Sequence, residues 1–384
     1  MEVLSELFYG VLSLSWRELV MFAIGGVLIY LAVKKDYEPM LLLPIGFGAV
    51  LVNLPLNTVW EADGNPAFLQ ILYDAGIITE LFPLLIFIAV GAMIDFSQLL
   101  RTPKMIFYGA AAQFGIFSTV LLALLLGRIF PELGFGLKEA AAIGVLGAAD
   151  GPTSIVVTGK LAPELLGPIT VAAYSYMALV PIIQPPVIKA LTTKKERLIR
   201  MDPDERPVSK RALILFPILI TVVAGILIPE SASLIGALMF GNLIRVSGVL
   251  ERLSQAAQNE LANLVTLLLG ITVGATMRGD QFLTFKTLGI MALGFFAFVF
   301  DTAGGVLFAK AVNVFSKKKI NPMVGAAGIS AFPMAARIVH KMARDEDPQN
   351  FILMQSVSAN VSGQLGSVIA GGLVLHLVPY LLSK

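Results

Sequence analysis

The chain has 384 residues, 57% of them apolar and 14% charged, with a formal net charge of +2. Together with a mean hydropathy of +0.82, this excludes a soluble globular or disordered protein and predicts an all-α polytopic membrane protein. The lack of cysteine excludes disulfides, thiolate catalysis and thiolate metal sites.

Residues 1–14 read as a short amphipathic lead-in, without the basic region or cleavage site of a signal peptide. Apolar segments follow at 19–33, 40–56, 79–96 and 105–126, with Lys34 and Lys35 after the first and Arg101 and Lys104 after the third. The connection before the third carries Glu61, Asp63, Asp74 and Glu80 and no basic residue. The positive-inside rule therefore places it, and the N-terminus, outside. A fifth segment, 138–160, contains Asp150-Gly151-Pro152, and a sixth, 163–191, leads into a basic loop at 192–211. That loop holds Lys194, Lys195, Arg197, Arg200, Arg206, Lys210 and Arg211 and is expected in the cytoplasm. Four earlier crossings leave only one for segments five and six together, so segment five is predicted to be re-entrant from outside. The second half continues with 212–228, 234–250, 261–277, 286–314, 320–342 and 350–382. Lys317, Lys318 and Lys319 precede the segment 320–342, and Lys341 and Arg344 close it. That segment is predicted to be re-entrant from the cytoplasmic side.

The halves also resemble each other. LFPLLIFIAVGAMIDFSQLL at 81–100 lies against LVTLLLGITVGATMRGDQFL at 264–283, and IGVLGAADGP at 143–152 against VGAAGISAFP at 324–333. The offsets, 183 and 181, differ by two residues. One membrane domain of 1–384 is expected, with a first repeat at about 19–191 and an inverted second repeat at about 212–382.

The stretch GVLGAADGPTSI at 144–155 is apolar enough for a membrane, yet carries a carboxylate and a helix-breaking Gly-Pro pair. Proline removes a backbone donor and clashes with the preceding turn, so a helix entering at Ala140 should break near Asp150. Freed backbone groups in hydrocarbon must find partners. The break reads as a cavity-lining site whose oxygens suit a hard cation; a structural kink with a paired Asp is the alternative. The second break, NPMVGAAGISAFPMAAR at 321–337, offers Asn321, Ser330 and Arg337. Asn321 reads equally as an N-cap, Ser330 as a hydroxyl bonded to its own helix, and Arg337 as a snorkelling cation or a fork for a carboxylate. Tyr174, Ser175, Tyr176 and Gln184 follow the first break, and Gln355, Ser356, Ser358, Asn360, Ser362 and Gln364 the second. Tyr176 and Asn360 are the site candidates here, the serines being suited to helix packing. Asp301 stays open between a functional role and pairing with Lys310. His340 and His376 are too isolated for a metal site, and no phosphate loop or nucleophile elbow is present.

GAADGPTSI, AAYSYMALVPIIQPP, NPMVGAAGISAFPMAAR and QSVSANVSGQLGSVIAGG together resemble the beta subunit of sodium-translocating decarboxylases. The resemblance covers nearly the whole chain. It implies a membrane carboxybiotin decarboxylase in a complex acting on oxaloacetate, methylmalonyl-CoA, glutaconyl-CoA or malonate, and a fold similar to sodium-coupled elevator transporters. It also implies Na+ held by Asp150, Ser330 and Asn360, catalytic roles for Asp150, Tyr176 and Arg337, and substrate binding by Arg337, Asn321 and Gly325. The implied partners are a biotin carrier and carboxyltransferase, a small gamma or delta membrane subunit, the lipid bilayer and further copies of the chain. The implied location is the inner (cytoplasmic) membrane, and no nucleic acid is expected. The alternative function is a secondary sodium/carboxylate symporter with the same inverted-repeat build.

Overall fold

A computed structural model of the protein describes residues 9–36, 38–62, 64–201 and 207–384. Expectations for residues 1–8, Asp63 and Arg206 lie outside these. Among the described residues the strands are two short pieces, Glu61–Ala62 and Asn65–Pro66, and the rest of the regular structure is helical.

The elements that position the candidate site are α1 (Trp16–Lys35), α2 (Pro39–Val52), α3 (Leu81–Met93), α4 (Ile106–Ala112), α5 (Phe114–Ile129), α6 (Leu137–Gly144), α7 (Gly151–Leu161) and α8 (Leu166–Leu191). They continue with α9 (Lys210–Leu227), α10 (Ala232–Ser247), α11 (Ala262–Ala275), α12 (Phe285–Phe315), α13 (Met323–Ala326), α14 (Met334–Glu346) and α15 (Leu353–Leu382). Five stretches among the described residues are long and apolar enough to cross a membrane. They are α1, Pro103–Ile129, α9, α12 and α15. Two bent pairs bring the number to seven: Phe68–Ile78 with α3, at 60°, and Pro163–Met177 with Leu179–Leu191, at 66°. This is the architecture of a polytopic membrane protein.

The apolar segment expected at 40–56 ends as a shorter helix, while the one expected at 261–277 is the last part of a continuous helical run over residues 251–275. α2 has 14 residues, ~21 Å at 1.5 Å per residue. The reason is Asn53. Its amide donates to the Ala49 carbonyl at 2.8 Å and the Met277 carbonyl at 2.7 Å, and its oxygen accepts from the Gly279 amide at 2.8 Å. One side chain thus closes α2, past which Leu54 and Leu56 continue the apolar sequence, and ties it to the chain just beyond α11.

Two sets of ion pairs mark opposite ends of the bundle. At one end Lys160 pairs with Glu80 at 3.2 Å and His376 meets Glu230 at 2.9 Å. At the other, Lys310 pairs with Glu196 at 3.2 Å, Arg197 with Glu346 at 2.6 Å and Arg200 with Asp347 at 2.7 Å. α12, with 31 residues, covers the ~45 Å between these ends. The α6–α7 segment starts beside the beginning of α12, where Leu133 and Phe135 pack on Gly289. The α13–α14 segment begins and ends at the basic end. There the Asn321 amide donates to the carbonyls of Arg197 and Ile199, at 2.8 and 2.9 Å, and Glu346 holds Arg197.

The pairing of Asp301 with Lys310 is not found. Nine residues along a helix separate them by ~13 Å, and Lys310 instead reaches Glu196 and the Leu191 carbonyl. Asp301 is fully buried, with Oδ1 against Gly115 at the start of α5.

α12 and α13 touch backbone to backbone: a Cβ on Gly325 would overlap the Gly305 carbonyl, and the reverse holds for Gly305. Overpacking a core costs ~1–3 kcal/mol. Gly325→Val is therefore expected to lower the thermal unfolding midpoint in detergent by several degrees or more. An unchanged midpoint would contradict this packing.

Candidate functional site

The first break forms where the sequence places it. α6 ends at Gly144, a tight 3-10 turn runs over Val145–Ala148, and Ala149 takes a left-handed conformation at φ 55°. That conformation costs an L-residue ~1–2 kcal/mol, and it swings the chain so that Asp150 becomes the N-cap of α7. Pro152 follows in the first turn of α7, where a missing N–H costs nothing.

Asp150 is 5% exposed and its carboxylate is held from two helices. Oδ1 accepts from the Thr153 amide at 3.4 Å, while Oδ2 accepts the hydroxyls of Thr153 at 2.7 Å and of Ser367, on α15, at 2.8 Å. Each of these donors is neutral. A carboxylate at a helix N-terminus with hydroxyl neighbours supplies the oxygen-rich surroundings that a hard monovalent cation needs.

The second break lies directly against the first. The Ser330 amide donates to the Ala148 carbonyl at 3.1 Å, joining the two interrupted chains. The Ser330 hydroxyl donates to the Gly363 carbonyl at 2.8 Å, and the Ser330 carbonyl accepts from the Gln364 amide. One residue earlier, the Ile329 carbonyl accepts from Asn360 at 2.6 Å. Farther back, the Ala326 carbonyl accepts from Gln184 at 2.7 Å. The second break is closed by amides sent from α8 and α15.

A cavity of about 130 Å³ lies where the breaks meet α2, α3 and α11. Asp150, Gly151, Tyr174, Ser330 and Gln364 line its polar side, and Phe87 and Val90 of α3 lie opposite. The structure therefore brings Asp150 and Ser330 into one wall, with Asn360 bracing that wall through Ile329. Tyr176 lies elsewhere. Its hydroxyl donates to the Met291 carbonyl and its ring packs on Phe298 at 5.9 Å. The tyrosine that closes over the first break is Tyr174, whose ring lies so near Gly151 that no side chain fits there. Asn321 holds the 192–201 segment, Gly325 packs on α12, and Arg337 is exposed on α14. None of these three lines the cavity. Thr153, Ser367 and Gln364 were missed as site residues. Only the Thr153 amide was findable, because the backbone N–H at the third position after an Asp N-cap bonds back to the cap.

A family model described as the Na+-transporting oxaloacetate decarboxylase beta subunit matches residues 17–378. The chain belongs to this family. It is 47% identical to the oxaloacetate decarboxylase beta chain of Klebsiella pneumoniae, over 96% of this chain and 97% of that one. It is 48% identical to the glutaconyl-CoA decarboxylase beta subunit of Acidaminococcus fermentans, over 96% and 95%. With the methylmalonyl-CoA decarboxylase beta subunit of Propionigenium modestum the identity is 46%, over 96% of each chain. The sequence-based resemblance is thereby established, and the symporter alternative is not favoured.

Asn360→Ala would leave the buried Ile329 carbonyl without its donor, which costs ~1–3 kcal/mol. The exposed Arg337→Ala is expected to shift stability by less than ~0.5 kcal/mol. Thermal unfolding of the two variants side by side checks this contrast.

Proposed function

We propose that the chain is the membrane carboxybiotin decarboxylase of a biotin-dependent complex, coupling loss of carbon dioxide to Na+ export. The observation that carries the proposal is the buried Asp150 carboxylate at the contact between the two breaks, sharing a cavity wall with Ser330. Na+ is the cargo, held by Asp150 and Ser330 with Asn360 supporting the second break. In the reaction, the bond between the carboxyl carbon and the ureido nitrogen of biotin breaks, the electron pair stays on nitrogen, and carbon dioxide leaves. A proton must then be added to that nitrogen.

Asp150 can accept a proton when Na+ departs, so one carboxylate carries either ion and links export to proton uptake. Tyr176, also proposed for the proton path, holds its hydroxyl on the Met291 carbonyl and reaches the reaction only if that bond opens. Arg337, exposed on α14, is proposed to meet the substrate carboxylate from the basic end. Asn321 and Gly325 are proposed to support substrate binding through the segments they hold in place.

Inverted repeats with an elevator-like movement fit this reading. The α6–α7 and α13–α14 segments approach each other from opposite ends of the bundle, and the cavity lies between them and a separate group, α2, α3 and α11. Residues 19–191 and 212–382 would be the repeats. The chain would sit as a multi-pass protein in the inner (cytoplasmic) membrane, with several copies in one complex. A biotin carrier, a carboxyltransferase and a small gamma or delta subunit would complete the assembly.

In reconstituted vesicles, wild-type protein is expected to release carbon dioxide from carboxybiotin faster with Na+ and to move radioactive Na+ in the same experiment. Asp150→Asn is expected to lower both by more than roughly tenfold, the ratio that ~1.4 kcal/mol gives. Full Na+-dependent activity in that variant would sink the coupling proposal.

A further inference from the structure

At the basic end of the bundle a cavity of about 450 Å³ opens between α4, the last turns of α12 and the residues that follow α12. Its two sides belong to the membrane-crossing stretches Pro103–Ile129 and α12. Lys104, Lys318 and Lys319 line it, and none of the described residues lining it is an Asp or Glu. Lys319 donates to the Asn313 carbonyl, a neutral group that leaves the ammonium charge unbalanced. Among the described residues no carboxylate pairs with Lys104 or Lys319, and Glu196, in the neighbouring groove, is held by Lys310.

The polarity of the lining is graded along the helices. Lys104 is the second residue of its crossing stretch, and Lys318 and Lys319 stand just past the end of α12. Phe107 lies about one turn deeper on one side, and Val312 and Phe308 about one and two turns deeper on the other. Phe107, Val314 and Phe315 are exposed, so in a bilayer hydrocarbon borders the deeper part of the cavity. Cations above and apolar side chains below select an amphiphile. A small free anion would leave the apolar part empty, and a neutral lipid would leave Lys104 and Lys319 without counter-charge. The positive-inside rule sets this end in the cytoplasmic leaflet, where basic pockets between membrane helices hold the head groups of anionic lipids.

We propose that this cavity is a binding site for an anionic phospholipid of the cytoplasmic leaflet. The phosphate sits between Lys104 and Lys319, and the upper part of an acyl chain packs on Phe107, Phe308 and Val312. The remainder of the lipid stays in the bilayer beside Phe315.

The lipid bears on the ion site through α4. The Tyr108 carbonyl lies against Gly328, which has no room for a side chain, and Gly328 stands two residues before Ser330. The Ser362 hydroxyl donates to the Ile106 carbonyl at 3.0 Å and ties α4 to α15. Filling the cavity therefore steadies the helix that backs the second break.

The test uses the full-length protein in micelles of detergent and neutral phosphatidylcholine, titrated with phosphatidylglycerol while thermal unfolding is followed. A ligand that binds only the folded state raises the midpoint. Wild type is expected to show that rise. Lys104→Gln combined with Lys319→Gln is expected to need at least about tenfold more phosphatidylglycerol for the same rise, since each lysine near a membrane surface is worth about fivefold. Lys34→Gln combined with Lys35→Gln, at the end of α1 and outside the cavity, is expected to titrate as wild type. Equal loss in both double variants would show attraction to the whole basic end, and an unchanged titration in the cavity variant would put the lipid elsewhere; either result overturns the assignment. So would the same rise with inorganic phosphate, which marks a site for a free anion. Wild type alone supplies a readout independent of how the variants fold. Phosphatidylglycerol, and not phosphatidylcholine, is expected to protect Lys104 and Lys319 from an amine-reactive reagent while Lys34 and Lys35 stay labelled. Cavity lysines that stay equally reactive would contradict the assignment.

Discussion

A helix interrupted inside a membrane protein frees backbone groups that water cannot reach, and each must be satisfied within the protein. Here the two interruptions satisfy one another. The Ser330 amide donates to the Ala148 carbonyl, while Asn360, Gln364 and Gln184 cap carbonyls of the second break. This requirement fixes α8 and α15 as the helices that carry amide side chains. It also fixes the position of Asp150, which the left-handed turn at Ala149 aims toward Ser367 and Thr153. Removing either break would orphan the other.

The electrostatics follow from the same contact. Asp150 is surrounded by hydroxyls and a helix N-terminus, with no cation among its hydrogen-bonding partners. The charge that balances it can therefore be mobile, Na+ or a proton, which is what an ion-translocating site requires. A permanently paired Arg would have locked the carboxylate in one state. Arginines instead gather at the basic end, where Arg197 and Arg200 fasten the 192–201 segment to Glu346 and Asp347. Since Asn321 grips the same segment, the connection between the halves is tied to both ends of the second break. A displacement of that break would be felt in the connection.

What was legible in the sequence was the local chemistry. Gly151 and Pro152 mark the first break, with the carboxylate of Asp150 beside it, and Pro333 marks the second. Partners remote in sequence were not legible. Ser367 lies 217 residues from Asp150, and nothing in a repetitive Ser- and Gly-rich helix distinguishes it from Ser362, which serves α4 instead. The choice of Tyr176 over Tyr174 turned on helix rotation. Two residues differ by about 200° around a helix axis at 3.6 residues per turn, so one tyrosine covers Gly151 while the other faces α12. The end of α2 misled for a similar reason: Asn53 stops it by side-chain contacts to the chain just past α11 that the apolar sequence does not announce.

The claim on which the rest stands is that Asp150 binds Na+ at the contact between the breaks. Equilibrium binding of radioactive Na+ to purified protein tests it without substrate, partner or transport. Saturable binding by wild type that disappears in folded Asp150→Asn and weakens in Ser330→Ala is the expected result. Wild-type binding retained by folded Asp150→Asn would place the ion elsewhere and contradict the account.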